Sequence, residues 1–357
     1  MKLGEARIGY AGYSADCSAP GDRRRFSAYA ANRGLSFERA ELGQDYDLVV
    51  VTHNGDIAGW TARKRRDGSR LRFVFELADS YFMQTGLLRR HLKGAARFAL
   101  GIDSRPSTDF LRTLIGACEA ADAVICSTDE QAGMVHRYNP NVIVSFDYFG
   151  DDISGPKIDY RREGKLRLVW EGQSTTLGNL LTVSEVLNDF RDRVELHVVT
   201  DPLVYRYFGR YLPHRSQDLL TGIACDVRFH PWDRSSFSEH ITSSDLAIIP
   251  IDPSNAFACG KPENKLVMLW QLGMPVLTSD TPAYRRAMEA AGQDLLCGDL
   301  NDWRSRLARL IEAGAEDLAI IAHQGRSFAE RAYSREEFLS RFDAAFEAAG
   351  FRVSISR

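Results

Sequence analysis

Nowhere in the 357 residues is there an apolar run approaching the roughly 20 residues that a bilayer-spanning helix needs, which excludes integral membrane insertion. The opening MKLGEARIGYAG lacks the apolar centre of a secretory signal, so the expectation is a cytoplasmic protein. Cysteine is sparse: Cys17, Cys118, Cys126, Cys225, Cys259 and Cys297 are scattered, with no C-x-x-C spacing and no ligand-like histidine pattern beside them. That excludes a disulfide framework and a thiolate metal site, and leaves reduced thiols. An excess of one charge is missing as well, with 45 basic against 48 acidic residues, so nothing in the global balance draws the chain to nucleic acid or membrane. Short-period repeats and low-complexity segments are absent.

What is present is an alternation of short apolar runs with longer helical patterns, which specifies strand-helix-strand units around parallel sheets. The runs of the first half are Arg7 to Gly12, Leu35 to Ala40, Tyr46 to His53, Leu71 to Leu77, Asp122 to Thr128 and Asn141 to Asp147. GDDISGPKIDYRREGK, Gly150 to Lys165, is rich in Gly, Pro and charge and reads as a linker. The pattern then restarts at Leu166 to Gly172, Val194 to Asp201, Cys225 to Trp232, Ser244 to Asp252, Met274 to Asp280 and Asp294 to Asp299, and Asn301 to Gly350 looks helical throughout. Length agrees, since the chain exceeds what one hydrophobic core usually fills. The expected fold is α/β, with two Rossmann-like doubly wound domains facing across a cleft, and function is expected at the carboxyl ends of the strands.

One strand-proximal stretch carries an anomaly. GKPENKLVMLWQLGMPVLTSDTPAY, Gly260 to Tyr284, reads as a buried helix, a tight turn and a buried strand, yet it opens with Lys261, Glu263 and Lys265. Lysines in a first helical turn oppose the positive end of the helix dipole, so an anion bound by them and by the free backbone N–H groups would explain their presence. Solvated caps of a surface helix are the alternative.

The ordered blocks ADAVICSTDEQAGMV, VWEGQSTTLGNL, HPWDRSSFSEHITSSDLAIIPID and KPENKLVMLWQLGMPVLTSDTPAY resemble glycosyltransferases of the GT-B fold, and more narrowly the bacterial, retaining, group-4-like enzymes of surface polysaccharide synthesis. The resemblance covers nearly the whole chain and is strongest from Leu166 to Tyr284. It implies residues 1–155 as an acceptor-binding domain, 156–334 as a nucleotide-sugar-binding domain, and 335–357 as a tail whose helix crosses back to the first domain. It also implies a nucleoside diphosphate sugar as donor, a glycan or lipid-linked acceptor, and no cofactor or metal. Two departures stand out. The family's paired glutamates before the Gly-x-Pro turn are replaced here by Gly260 and Met268, leaving Glu263 as the segment's carboxylate, and the usual Arg and Lys after the first donor-domain strand are missing. The K-x-x-N-K start, Lys261, Asn264 and Lys265, matches divergent members. A non-catalytic GT-B protein and a sugar-nucleotide epimerase are the competing readings.

Breaking the bond to a diphosphate accumulates charge on the leaving oxygens, which preorganised cations and N–H donors must meet. Lys261, Asn264 and Lys265 are the candidates, with Gly172, Gln173, Thr175 and Asn179 at the exit of the first donor-domain strand admitting phosphate close to backbone. In the first domain Asp79 is the candidate to orient or deprotonate the acceptor hydroxyl. It stands equally where an Asp would cap a helix. Gly12, Tyr13, His53, Asn54 and Glu76 occupy neighbouring strand exits. Two basic stretches, Arg63 to Arg66 and Arg89 to Arg97, are candidates for peripheral contact with an anionic membrane; in the second, Arg89, Lys93 and Arg97 recur at i, i+4, i+8.

Overall fold

Leu48, Val49, Val50 and Val51 form a strand apolar on both faces, and the reason is visible in the packing: Leu48 and Val50 enter one core cluster, Val49 and Val51 another. The computed structural model describes residues 1–83, 86–205 and 213–353, with the backbone alone at 87–90, 151, 205 and 213. The chain divides into two compact units. The first comprises Met1–Tyr148, Gly260–Pro262 and Tyr333–Arg357, the second Phe149–Cys259 and Glu263–Ala332.

The first unit is built on β1 (Ile8–Ala11), β2 (Glu38–Arg39), β3 (Leu48–Thr52), β4 (Arg72–Leu77), β5 (Ala123–Cys126) and β6 (Val142–Val144), all parallel, in the order β2-β1-β3-β4-β5-β6. One face carries the helices Phe26–Arg33 and Arg335–Ala348, with Phe26, Tyr29, Phe338, Phe342 and Phe346 in the core. The other carries Ile57–Asp67 and Phe110–Ala120, with Ile57, Trp60, Phe110 and Leu114.

The second unit holds β7 (Leu166–Glu171), β8 (Val194–Thr200), a hairpin of β9 (Leu203–Tyr205) with β10 (Pro213–Arg215), then β11 (Asp226–Pro231), β12 (Leu246–Ile249), β13 (Val276–Ser279) and β14 (Leu296–Cys297). Its main sheet is parallel in the order β11-β8-β7-β12-β13-β14. Strand order reverses between β7 and β12 here and between β1 and β3 in the first unit, and such switch points are where doubly wound sheets open a crevice for ligands.

Three features add to the sequence reading. The Gly150–Lys165 segment is anchored to the second unit: Lys157 is buried, its N–H donates to Leu272 O at 2.9 Å and its ammonium to Thr242 O at 3.1 Å, while the Tyr160 hydroxyl donates to Gly273 O at 2.8 Å. The β9–β10 hairpin has no counterpart in the sequence reading. The tail is three helices, Leu300–Glu312, Ala315–Ala332 and Arg335–Ala348, the last lying in the first unit. Among the described residues no helix is long and apolar enough to cross a membrane.

Candidate functional site

At the exits of β1, β3 and β4 the first unit gathers polar and aromatic side chains. Tyr13 N–H donates to Asp22 Oδ1 at 2.8 Å, and Gly12 is needed beside it because a β-carbon there would run into that same carboxylate. His53 is buried between Tyr13 and Tyr81, with both ring centroids 5.2 Å away, edge to face. Its Nε2 lies 3.3 Å from Asp79 Oδ2, and Nδ1 has no partner among the described residues. Burial disfavours the imidazolium and lowers the His53 pKa. The pair is therefore a neutral imidazole donating from Nε2 to a carboxylate.

Asp79 is the accessible member, its side chain 34% exposed. Burial raises its carboxyl, but the His53 hydrogen bond and the charges of Lys261 and Lys93 outweigh that and hold it at about 2. Lys261, which groups with the first unit, comes within 3.9 Å of Asp79. The backbone of Asp79 is fixed too: its carbonyl accepts from the Gln131 side chain at 2.6 Å, and Gln131 Oε1 accepts from Ser127 N–H at 3.0 Å, tying the exit of β4 to that of β5.

Glu76 and Asn54 lie at opposite extremes of burial. Glu76 is fully buried and ion-paired with Arg25, which also reaches Asp147 at 3.3 Å, so the carboxylate is turned to an internal charge cluster and not to an acceptor. Asn54 is exposed at the exit of β3, its N–H on Thr52 Oγ1 at 3.3 Å. Sequence reasoning gave Arg25 and Tyr81 no role and counted Lys93 only among the cations for membrane contact. Arg25 closes a run of three arginines that reads as solvated surface, and nothing local distinguishes it.

The basic stretches are corrected as well. Arg63 is buried against Leu42 O, Gln44 O, Asp45 and Asp67, and Lys64 donates to Gly68 O, Leu71 O and Asp122, leaving Arg65 and Arg66 exposed. Arg97 is buried too, binding Asp103 together with the carbonyls of His53 and Gly55. The helix Leu87–Ala99 thus turns cations inward, while Leu92 and Phe98 are exposed; the Arg89 side chain lies outside the described residues. Long apolar stems let Lys and Arg bury while their heads find carbonyls, so charge alone did not mark the solvent face.

In the second unit Lys265 and Gly172 meet. The Lys265 ammonium donates to Glu171 O at the end of β7 and lies 4.9 Å from the centre of the Trp170 ring. A β-carbon on Gly172 would come within 2.6 Å of it, so the missing side chain is what gives the ammonium its place at the switch point. Asn179 reaches from the β7 exit to that of β12, its Oδ1 accepting from Asp252 N–H at 3.4 Å. Gln173 and Thr175 are exposed on the same turn. The helix begins at Asn264, one residue later than a start that would include Glu263, which takes the capping position without capping through its side chain. Lys261 therefore precedes the helix and is not in its first turn.

No family profile matches the sequence, and no curated protein matches it. In structure it is similar to HepE of Anabaena solved in complex with UDP-glucose, at 12% identity and a TM-score of 0.61, over 96% of this chain and 100% of that one. Sucrose-phosphate synthase from Thermosynechococcus elongatus is similar at 13% identity and a TM-score of 0.55, over 90% of this chain and 75% of that one. TarM of S. aureus is similar at 10% identity and a TM-score of 0.55, over 85% of this chain and 54% of that one. These likenesses establish the fold: two Rossmann-like units of the GT-B type.

Proposed function

We propose that the chain is a glycosyltransferase that moves a sugar, with retention of anomeric configuration, from a nucleoside diphosphate sugar to a glycan or lipid-linked acceptor in polysaccharide or glycoconjugate biosynthesis. The observation that carries this is the Lys265 ammonium seated over Gly172 at the switch point of a GT-B second unit, a fold shared with HepE, which was solved with UDP-glucose. There Lys265, the backbone N–H groups at the start of the helix Asn264–Gln271, and the start of the 3₁₀ helix Ser174–Val183 at the β7 exit receive the diphosphate. Lys265 supplies a fixed positive charge to the leaving oxygens as the sugar bond breaks, the role a metal ion plays elsewhere. In the first unit Asp79 accepts a hydrogen bond from the acceptor hydroxyl and orients it. A carboxylate held at about 2 is a weak base, so its service is alignment and charge.

Charge-assisted contacts to phosphate are worth roughly 1.5 to 3 kcal/mol, so Lys265→Ala is expected to weaken nucleoside diphosphate binding by about tenfold or more. Calorimetric titration of UDP and GDP into wild type and variant checks this, beside a screen of nucleotide sugars for slow hydrolysis. Neither nucleotide binding, or equal binding to both proteins, would count against the assignment. Lys265 already donates to Glu171 O without ligand, so the variant should also lose about 1 kcal/mol of stability.

A further inference from the structure

Two cations near Asp79 have no role in the donor scheme: Lys261, ion-paired with Asp79 at 3.9 Å, and Lys93. The Lys93 ammonium lies 3.5 Å from the centre of the Tyr81 ring and 4.4 Å from that of Phe110, a cation held in the corner of two rings that meet at 88°. It makes no hydrogen bond and no ion pair with a carboxylate among the described residues. Arg97, one turn along the same helix, is in contrast fully engaged with Asp103 and two carbonyls. Burial and the charge of Arg97 pull the Lys93 pKa down to about 8, only partly offset by Asp79.

A neutral acceptor would need the Asp79 carboxylate and nothing more. An ammonium kept half-buried on aromatic faces, near that carboxylate but not paired to it, has a different use: it offsets the repulsion an anionic acceptor meets from Asp79 and supplies a point charge for its anion. We propose that Lys93 is a specificity-determining residue that binds a phosphate or carboxylate carried by the acceptor beside its reacting hydroxyl, which makes the acceptor an acidic sugar or sugar phosphate. Tyr81 and Phe110, the latter a core residue, hold the ammonium in place.

This rests on the glycosyltransferase reading and is separable from it. Calorimetric titrations with glucose 6-phosphate, glucuronic acid and glucose, on wild type, Lys93→Gln and Lys93→Arg, test it without any nucleotide. The expected result is that one or both anionic sugars bind wild type at least tenfold more tightly than glucose. That preference should disappear in Lys93→Gln and partly return in Lys93→Arg, with UDP or GDP affinity unchanged in both variants. Tighter binding by the phosphate alone or by the uronic acid alone fixes which anion is read. Anionic sugars binding no better than glucose, or a preference that survives Lys93→Gln, would overturn the assignment even where nucleotide binds. Absence of nucleotide binding, with the anion preference intact, would sink the glycosyltransferase reading and leave the anion site standing.

Discussion

His53 sits 3% exposed between two tyrosine rings and donates from Nε2 to Asp79, and that burial makes it a pH-sensitive part of the fold. Its pKa is lowered in the folded chain from 6.5, so the unfolded chain takes up a proton on acidification that the folded chain resists. Stability contributed by the neutral imidazole is therefore fully present above about pH 6.5 and is lost as pH falls below it. Asp79 works lower down: its folded pKa of about 2 lies below the ordinary 3.8, so its contribution persists above pH 3.8 and fades between there and 2. Between pH 7 and 5 the His53 effect acts alone in this pair, with a ceiling of about 1.4 kcal/mol per pH unit. Denaturant midpoints of wild type should fall over that interval more steeply than those of His53→Gln. Parallel slopes would mean that His53 titrates in the folded protein much as in water.

At the scale of elements, Gly325 shows how tightly the second unit is assembled. It lies in the helix Ala315–Ala332, and a β-carbon there would run into the Trp270 indole, which is fully buried in the helix Asn264–Gln271. A rigid ring cannot yield as a flexible side chain does, so Gly325→Ala should destabilise by roughly 1 to 3 kcal/mol, read as a lower thermal midpoint. Surface substitution at Gly314, whose β-carbon would meet only Asp317 Oδ2 at 3.6 Å, should be mild and serves as the control. Much of this order was legible in advance. Runs such as YDLVVVTH and SDLAIIPID carry apolar residues on both faces, so strands buried in parallel sheets and their exits followed from composition. The meeting of Gly172 with Lys265 was legible only as two separate candidates, because 93 residues of chain separate them and no local signal records tertiary proximity. Arg25, Arg63 and Arg97 were illegible for a different reason. Their burial depends on carbonyls and carboxylates supplied by distant segments, whereas single-sequence patterning counts every arginine as surface.

For the whole molecule, the decisive fact is that the first unit is not continuous in sequence. Phe338, Phe342 and Phe346 are buried in its core, and Tyr29 donates through its hydroxyl to Asp343 at 2.8 Å. Removing a buried Phe costs about 3 to 5 kcal/mol, so loss of all three, about 9 to 15 kcal/mol, is as large as the 5 to 15 kcal/mol by which a domain is usually stable. A chain ending at Ala332 should keep a folded second unit and lose cooperative unfolding of the first. Two-step protection in hydrogen exchange by wild type, with only the second-unit peptides protected in the truncated chain, is the outcome to look for.

Synthesis on the ribosome adds direction to that architecture. Residues 1–148 emerge first, with the face of their sheet that receives Phe338, Phe342 and Phe346 still bare, while the second unit is translated in between. At roughly 5 to 20 residues per second, the 185 residues from Phe149 to Tyr333 take on the order of 10 to 40 s to make. For that interval the earlier-made half exposes aromatic surface to every chaperone and every other nascent chain nearby, and the later-made unit is the first able to close its core. Slow synthesis in a crowded cell therefore penalises this chain where it would leave a sequentially built protein untouched, and its soluble yield should depend on early chaperone capture more than on the stability of the finished fold.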